Sequence, residues 1–328
     1  MHSRQVRILL TVAAGLAILV GLLLGAKACT AKQAEEEAAA AQAERSARAV
    51  PTKSDAFVSI SYDNSVTNLA FTKDEADAWI WADDPTVPLD GKYMEELSAL
   101  ITNLDPMQTI TDGDTLAAYG LETPSGTINA TAADGAQTVL LLGKALSDGS
   151  YYLKTDDSDT VYVVSKDLHE RINKGVYDMA LLEQFPALTE ENLRAVTITG
   201  PKTTALTVSP GEDGHGVWSL DGTDVTAQPD IAALSAQLSA LAFTACRDFN
   251  PSAKAVEICG LTKPAVIVTV DYADANGADA QMVLSIGGNT PEGDGRYARL
   301  DDSTTIYSLT NESLSTILDI ARNGLTPS

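Results

Sequence analysis

Apolar and polar residues alternate with a period of two from Phe57 to Tyr62, which gives an extended strand one buried and one wet face. Val66–Phe71 alternates less cleanly, and Trp79 and Trp81 flank Ile80 in a third strand-like run, so a three-stranded meander opens this region. At Lys92 the period lengthens: Met94, Leu97, Leu100, Ile101 and Leu104 fall on one face of a helix over 92–104. A short strand over Met107–Thr111 follows, then four more over Thr127–Ala132, Thr138–Leu142, Ser150–Lys154 and Val161–Val164. A helix over Ser165–Asn173, with Ser165 as its expected cap, closes the series.

The pattern then starts again. Gly216–Leu220 matches the tryptophan strand, and Pro229–Leu241 is a second amphipathic helix whose proline sits in the first turn, where no donor is lost. Strand-like runs over 243–247, 265–272, 281–286, 297–300 and 305–308 lead to a last helix from Asn311, its expected cap, to Arg322. Individual residues return as well. Tyr119-Gly120-Leu121-Glu122-Thr123-Pro124 reappears as Cys259-Gly260-Leu261-Thr262-Lys263-Pro264, an offset of 140 that rises to 145 between Tyr162 and Tyr307. Between these marks Gly143, Tyr151-Tyr152 and Asp156-Asp157 answer to Gly287, Arg296-Tyr297 and Asp301-Asp302. So long a period points to duplication of a whole domain, not to a solenoid or propeller.

Connections of hairpin length cannot make parallel crossovers. The expected fold is therefore α+β: tandem duplicated domains, each a mainly antiparallel sheet with two packing helices. The first repeat is placed at 55–175, a connector at 176–192 and the second repeat at 193–328. Met179, Leu181, Leu182 and Phe185 mark the connector as packed and not free. Gly120 and Gly260 are expected at positive φ with the next leucine plugging the core, and Pro124 and Pro264 at strand entrances.

The amino end adds a different kind of segment. Ile8 to Ala26 is nineteen residues without a charge, and at ~1.5 Å per residue it spans ~28 Å, the thickness of a hydrocarbon core. Arg4 and Arg7 precede it, which places 1–7 in the cytoplasm and makes 8–26 a transmembrane signal anchor. Two processed forms compete: cleavage after Ala26-Lys27-Ala28, or lipidation of Cys29. Residues 27–54, rich in Ala, Glu and Gln, read as a helical stalk. Each version leaves the repeats outside the cytoplasm of a bacterial plasma membrane.

With 45 acidic against 22 basic residues the net charge is −23, and the scattered basic residues exclude a phosphate-binding face, hence nucleic acid. Cys29, Cys246 and Cys259 have no zinc or redox spacing; Cys246 and Cys259 read as small core residues, with a bridge between them as the alternative. His2, His169 and His215 lack a partner at metal or dyad spacing, so His169 with Glu170 reads as a solvated helix face. Asp156-Asp157-Ser158-Asp159 and Asp301-Asp302-Ser303 resemble calcium-loop fragments without the required glycine and distal glutamate, and read as hairpin turns. Tyr151, Tyr152 and Tyr297 are read as sheet packing, with a ligand or partner surface as the alternative. No catalytic, cofactor-binding or metal-binding residue is assigned, and no enzyme activity or cofactor is expected.

The turn at Tyr119–Pro124, the later Gly143 and the tyrosine-rich hairpin Tyr151–Tyr162 resemble the bacterial domain-of-unknown-function 4340 family, over nearly all of 55–322 as two tandem units. Cys259 departs from the family, which usually has an aromatic there. The resemblance implies a membrane-anchored extracytoplasmic protein accessory to ABC-transporter or gliding-type assemblies, and it transfers no catalytic residue. The expectation is a noncatalytic interaction or scaffold module with a protein partner; the alternative is a ligand-binding or sensing module with its site between the repeats.

Overall fold

The computed structural model describes residues 49–54, 56–211 and 215–325. The expected anchor, Cys29 and most of the stalk lie outside them. Among the described residues no helix is long and apolar enough to cross a membrane.

The first sheet is built from β1 (Ser59–Asn64), β2 (Asn68–Lys73), β3 (Trp79–Trp81), β4 (Gln108–Ile110), β5 (Gly126–Thr131), β6 (Gln137–Ala145), β7 (Tyr151–Thr155) and β8 (Val161–Val164). Their order across the sheet is β3-β2-β1-β5-β6-β7-β8-β4. The second sheet uses β9 (Leu193–Thr199), β10 (Thr203–Pro210), β11 (Gly216–Leu220), β12 (Thr223–Asp224), β13 (Ala245–Asp248), β14 (Val266–Ala273), β15 (Asp279–Asn289), β16 (Gly295–Leu300) and β17 (Ile306–Thr310). Its order, β12-β11-β10-β9-β14-β15-β16-β17-β13, repeats the first with one short edge strand added. Register repeats too: Leu153 faces Tyr162 where Ala298 faces Tyr307, and Tyr152 faces Val163 where Tyr297 faces Ser308.

The pairings β1–β5, β5–β6, β6–β7, β9–β10 and β9–β14 are antiparallel, and the chain is a mainly antiparallel α+β protein. By contact the described residues divide into two compact units, one taking in those up to Asn68 with Glu95–Asn173, the other Leu69–Met94 with those from Lys174 on. α1 (Gly91–Thr102) turns inward the stripe its spacing predicts: Leu97 and Ile101 are fully buried, as is Leu104 just beyond its end. Its partner α2 (Asp167–Ile172) buries Leu168 and Ile172 and is pinned outside by the Arg171–Glu96 ion pair. In the second unit α3 (Pro229–Ser239) buries Ile231, Leu234 and Leu238 into a core with Trp218, Val268 and Leu284.

The connector is packed, as its apolar residues require. Tyr177, Leu182 and Phe185 lie against the second core and Leu188 is buried in it, although Leu181 is exposed. A 3-10 turn at Val176–Met179 packs on β13, and Leu181 N donates to Pro88 O at 2.7 Å.

Two expected caps fail. The last helix, α5, runs Ser315–Asn323 and starts after Leu314; Asn311 is spent elsewhere, its Nδ2 donating to Gly293 O at 3.0 Å. Ser165 donates to the Asp167 carboxylate at 2.8 Å, and α2 begins at Asp167 without a side-chain cap bond. A loop carbonyl in the first case, and the carboxylate of the helix's own first residue in the second, competes for the polar side chain. One helix escaped the periodicity: α4 (Ala253–Ile258), capped by Ser252, which accepts from Ala255 N at 3.1 Å.

Candidate functional site

The repeated motif is the natural place to look for a site, and its residues prove to serve the backbone. Leu116–Tyr119 is a 3-10 turn that Gly120 ends at φ 69°, with Gly120 N bonded to Ala117 O and Leu121 N to Leu116 O. α4 ends the same way at Gly260, φ 70°, with Gly260 N on Glu257 O and Leu261 N on Val256 O. This double closure is a Schellman cap, which needs a left-handed residue followed by an apolar one. Leu121 and Leu261 supply that apolar contact and are buried.

The second glycine of the motif answers the first. A methyl on Gly143 would overlap the Tyr119 carbonyl oxygen, and one on Gly287 the Cys259 carbonyl oxygen. Gly288 N instead donates to Cys259 O at 2.8 Å. Both glycines sit where the strand register slips, between Leu142 and Ala145 and between Ile286 and Asn289. The capped turn therefore rests directly on a β-bulge, in each repeat.

The repeats differ in what surrounds that turn. In the first, Tyr119 packs on Tyr152 with ring centroids 4.7 Å apart. In the second, Cys259, Leu261 and Ile306 form a small separate core with Val256 and Tyr297 against it. β13 also carries an extra residue: pairing jumps from Cys246 to Asp248, leaving Arg247 as a bulge. Bulges re-aim side chains, and Arg247 Nε donates to Ser308 Oγ at 3.1 Å while its other nitrogens hold Glu292 at 3.2 and 3.4 Å.

The thiols beside this network are poorly suited to chemistry. Cys246 and Cys259 are both free and buried, so they are core residues and not a bridge. Burial, then the Asp248 charge, pushes Cys246 up to about 11 and raises Cys259 also, against a lowering hydrogen bond from Tyr297. Since the thiolate is the nucleophile, both stay protonated at neutral pH. In a Cys29→Ser variant at pH 8, a disulfide-exchange reagent should modify them about 100-fold more slowly than a free thiol, and fast native labelling would contradict this assignment.

His215 meets an acid partner that lies 25 residues away in sequence. Its Nδ1 is 2.9 Å from Glu190 Oε2, while Ser235 Oγ donates to Glu190 Oε1 at 3.0 Å. A serine nucleophile needs the histidine between itself and the acid, and here the carboxylate occupies the middle. The arrangement is a clamp between the start of β11 and α3. The His215 hydrogen bond, helped by Ser235 and Gly216 N–H against burial, holds Glu190 below its ordinary value of 4.5. A lowered carboxylate stabilises the fold above its unfolded value and loses that contribution as pH falls through the folded one. Glu190→Gln should therefore flatten the stability curve below pH ~4.5 by about 1 kcal/mol or less, read by urea unfolding at stepped pH.

The remaining candidates are settled by contact. His169 stacks on Tyr151 with centroids 4.4 Å apart, so it is a half-buried packing residue and not a solvated one. Asp157 pairs with Lys53 at 3.3 Å beside a groove of about 200 Å³. Asp301 takes φ 47° in its hairpin turn and accepts from Val283 N. No cluster of three or more metal-ligating side chains occurs among the described residues.

A family model described as Domain of unknown function (DUF4340) matches residues 79–258, more than half of the chain, in one stretch running from β3 into the end of α4. No curated protein and no solved structure matches.

Proposed function

We propose, for a chain that belongs to the Domain of unknown function (DUF4340) family, that it is a noncatalytic interaction module made of two tandem units of one design and anchored in the plasma membrane by Ile8–Ala26. Its partner is a protein of an envelope assembly, to which it is accessory in the manner of ABC-transporter or gliding-type auxiliary proteins. One observation carries this reading: strand order, register, bulge and capped turn occur twice on the same chain. The motif's glycines and leucines are occupied in holding that scaffold, which leaves strand edges and outer faces to vary. Two like faces on one chain raise the effective concentration for a repeated or extended partner without any new contact.

The test is crosslinking in intact cells followed by purification of the tagged full chain from membranes. Co-purification of transport-complex subunits in fixed ratio is expected, with the tag side of the repeats accessible to protease added outside the plasma membrane. A monomer recovered alone from the soluble fraction after crosslinking would overturn the reading. A second reading, ligand binding, has its own observation in an open groove of about 430 Å³ on the second sheet, lined by Arg194, Asp271, Tyr272, Asp279, Ala280 and Gln281.

A further inference from the structure

The groove on the second sheet is built around a fault in strand pairing. β14 and β9 stay in register until Asp271 meets Ala195, and the next pair joins Tyr272 to Leu193, which leaves Arg194 unmatched on β9. An unmatched residue of this kind bends its strand and re-aims its side chain. Arg194 is then fixed in place: its Nη1 donates to Glu191 O at 3.0 Å and to Leu193 O at 2.9 Å. Both hydrogens of that nitrogen are used. Nε and Nη2 remain, and they form one of the guanidinium edges that hold a carboxylate by two parallel bonds.

The same groove carries the opposite charge on Asp271 and Asp279, with Tyr272 and Gln281 beside them. Gln281 Nε2 donates to Asp271 Oδ1 at 2.7 Å, which orients that carboxylate and leaves its second oxygen for another donor. Among the ion pairs of the described residues none joins Arg194 to either aspartate. Opposite charges thus line one groove of about 430 Å³ without neutralising each other, and small-molecule sites run from roughly 300 to 1,000 Å³. The first repeat has neither charge at the equivalent place. At the offset of 140, Asp271 and Tyr272 answer to Thr131 and Ala132, and Val58 precedes Ser59, the partner of Thr131, as Arg194 precedes Ala195, the partner of Asp271. Gln137 faces Thr131 as Gln281 faces Asp271. The glutamine is common to both repeats, and the charges belong to the second alone.

The geometry points to this groove as a site for a small zwitterion, an α-amino acid or short peptide, with its carboxylate on the Nε–Nη2 edge of Arg194, its ammonium met by Asp271 and Asp279, and its side chain against Tyr272. This rests on the ligand-binding reading and names the ligand; it does not depend on the module reading. Two carboxylates face one guanidinium in a chain of net charge −23, so a plain anion is repelled. A plain cation meets the arginine. Only a molecule bearing both charges satisfies the two ends together.

The probes are phenylalanine and alanyl-phenylalanine, each also as its N-acetyl form and its C-terminal amide, followed by ligand-observed magnetic resonance on the detergent-solubilised full chain. The free amino acid or the dipeptide should bind with a Kd of about 1 mM or tighter, and which of them does so separates the two sources. Capping either end should weaken binding about tenfold or more. Arg194→Gln should abolish the preference for carboxylate over amide, and Asp271→Asn the preference for free over acetylated amine. Arg194→Lys keeps the charge without the fork and serves as the second variant; urea unfolding checks that each variant is folded. No binding by either uncapped probe, equal binding of capped and uncapped forms, or preferences unchanged in folded variants would each overturn the proposal. Binding that survives both caps but is lost in Arg194→Gln would sink the zwitterion and keep a ligand site of other chemistry. If, besides the probes, a mixed set of small fragments leaves amide exchange in 192–195 and 271–281 unchanged, the ligand-binding reading falls with it.

Discussion

Gly287→Ala should cost about 3 kcal/mol or more of unfolding free energy, although it adds a single methyl group. That methyl would overlap the carbonyl oxygen of Cys259, and a backbone oxygen inside a capped turn cannot swing aside as a side-chain tip does. Relief requires lifting the turn off the bulge. The 2.8 Å bond from Gly288 N to Cys259 O would go, a loss of about 1 kcal/mol by itself, and Leu261 would be pulled from its contact with Ile306. Gly277→Ala is the comparison for conformation alone, because Gly277, unlike Gly287, has positive φ, 79°, while its added methyl meets open space; it should cost roughly 1–2 kcal/mol. Gly143→Ala should behave like Gly287→Ala, since the same overlap occurs there with Tyr119. Urea denaturation followed by circular dichroism decides it. A cost for Gly287→Ala no larger than that for Gly277→Ala would mean that the turn gives way to the methyl and that close approach does not select this glycine.

That same turn shows how far residue patterns reach. The helix stripe Met94, Leu97, Ile101 and Leu104 was legible because three turns of regular spacing meet one core. Gly120 and Gly260 were legible at positive φ because few other residues go there cheaply. The helix Ala253–Ile258 was not: fewer than two turns carry too little periodicity, and its start rests on one Ser252 hydrogen bond. Asn311 and Ser165 misled because a polar residue before an apolar run is as ready to bond a loop carbonyl or a neighbouring carboxylate as a helix amide. The clamp of Glu190, His215 and Ser235 spans 45 residues of sequence, and no spacing rule anticipates a contact that exists only once α3 is laid on its sheet. The Arg247 bulge likewise appears only when β13 is paired with β17. Apart from Cys259 standing where the first repeat has Tyr119, what distinguishes the two repeats thus lies in pairing, while what they share was written in residue identity.

Trp218 carries the other large effect, and here the sign of a conservative change is informative. It is the largest of the fully buried side chains, 1% exposed in the second core. Its strand is fixed by pairing with Val208 and by the bond from Trp218 N to Thr226 Oγ1 at 2.8 Å. Trp218→Ala should cost about 3–5 kcal/mol, the range for deleting a buried aromatic whose surroundings close only partly. Its indole nitrogen, however, is buried with no hydrogen-bond partner among the described residues, and leaving a donor unpaired costs about 1–3 kcal/mol. Trp218→Phe removes that donor while keeping most of the ring, so the lost packing and the relieved desolvation offset each other and the net change should stay within about 1–2 kcal/mol. Circular dichroism during urea unfolding suits both variants, because it does not depend on the tryptophan removed. If phenylalanine proved as damaging as alanine, the indole N–H would have to be making a hydrogen bond that stabilises the core, and the second sheet would depend on that bond and not on the filled volume.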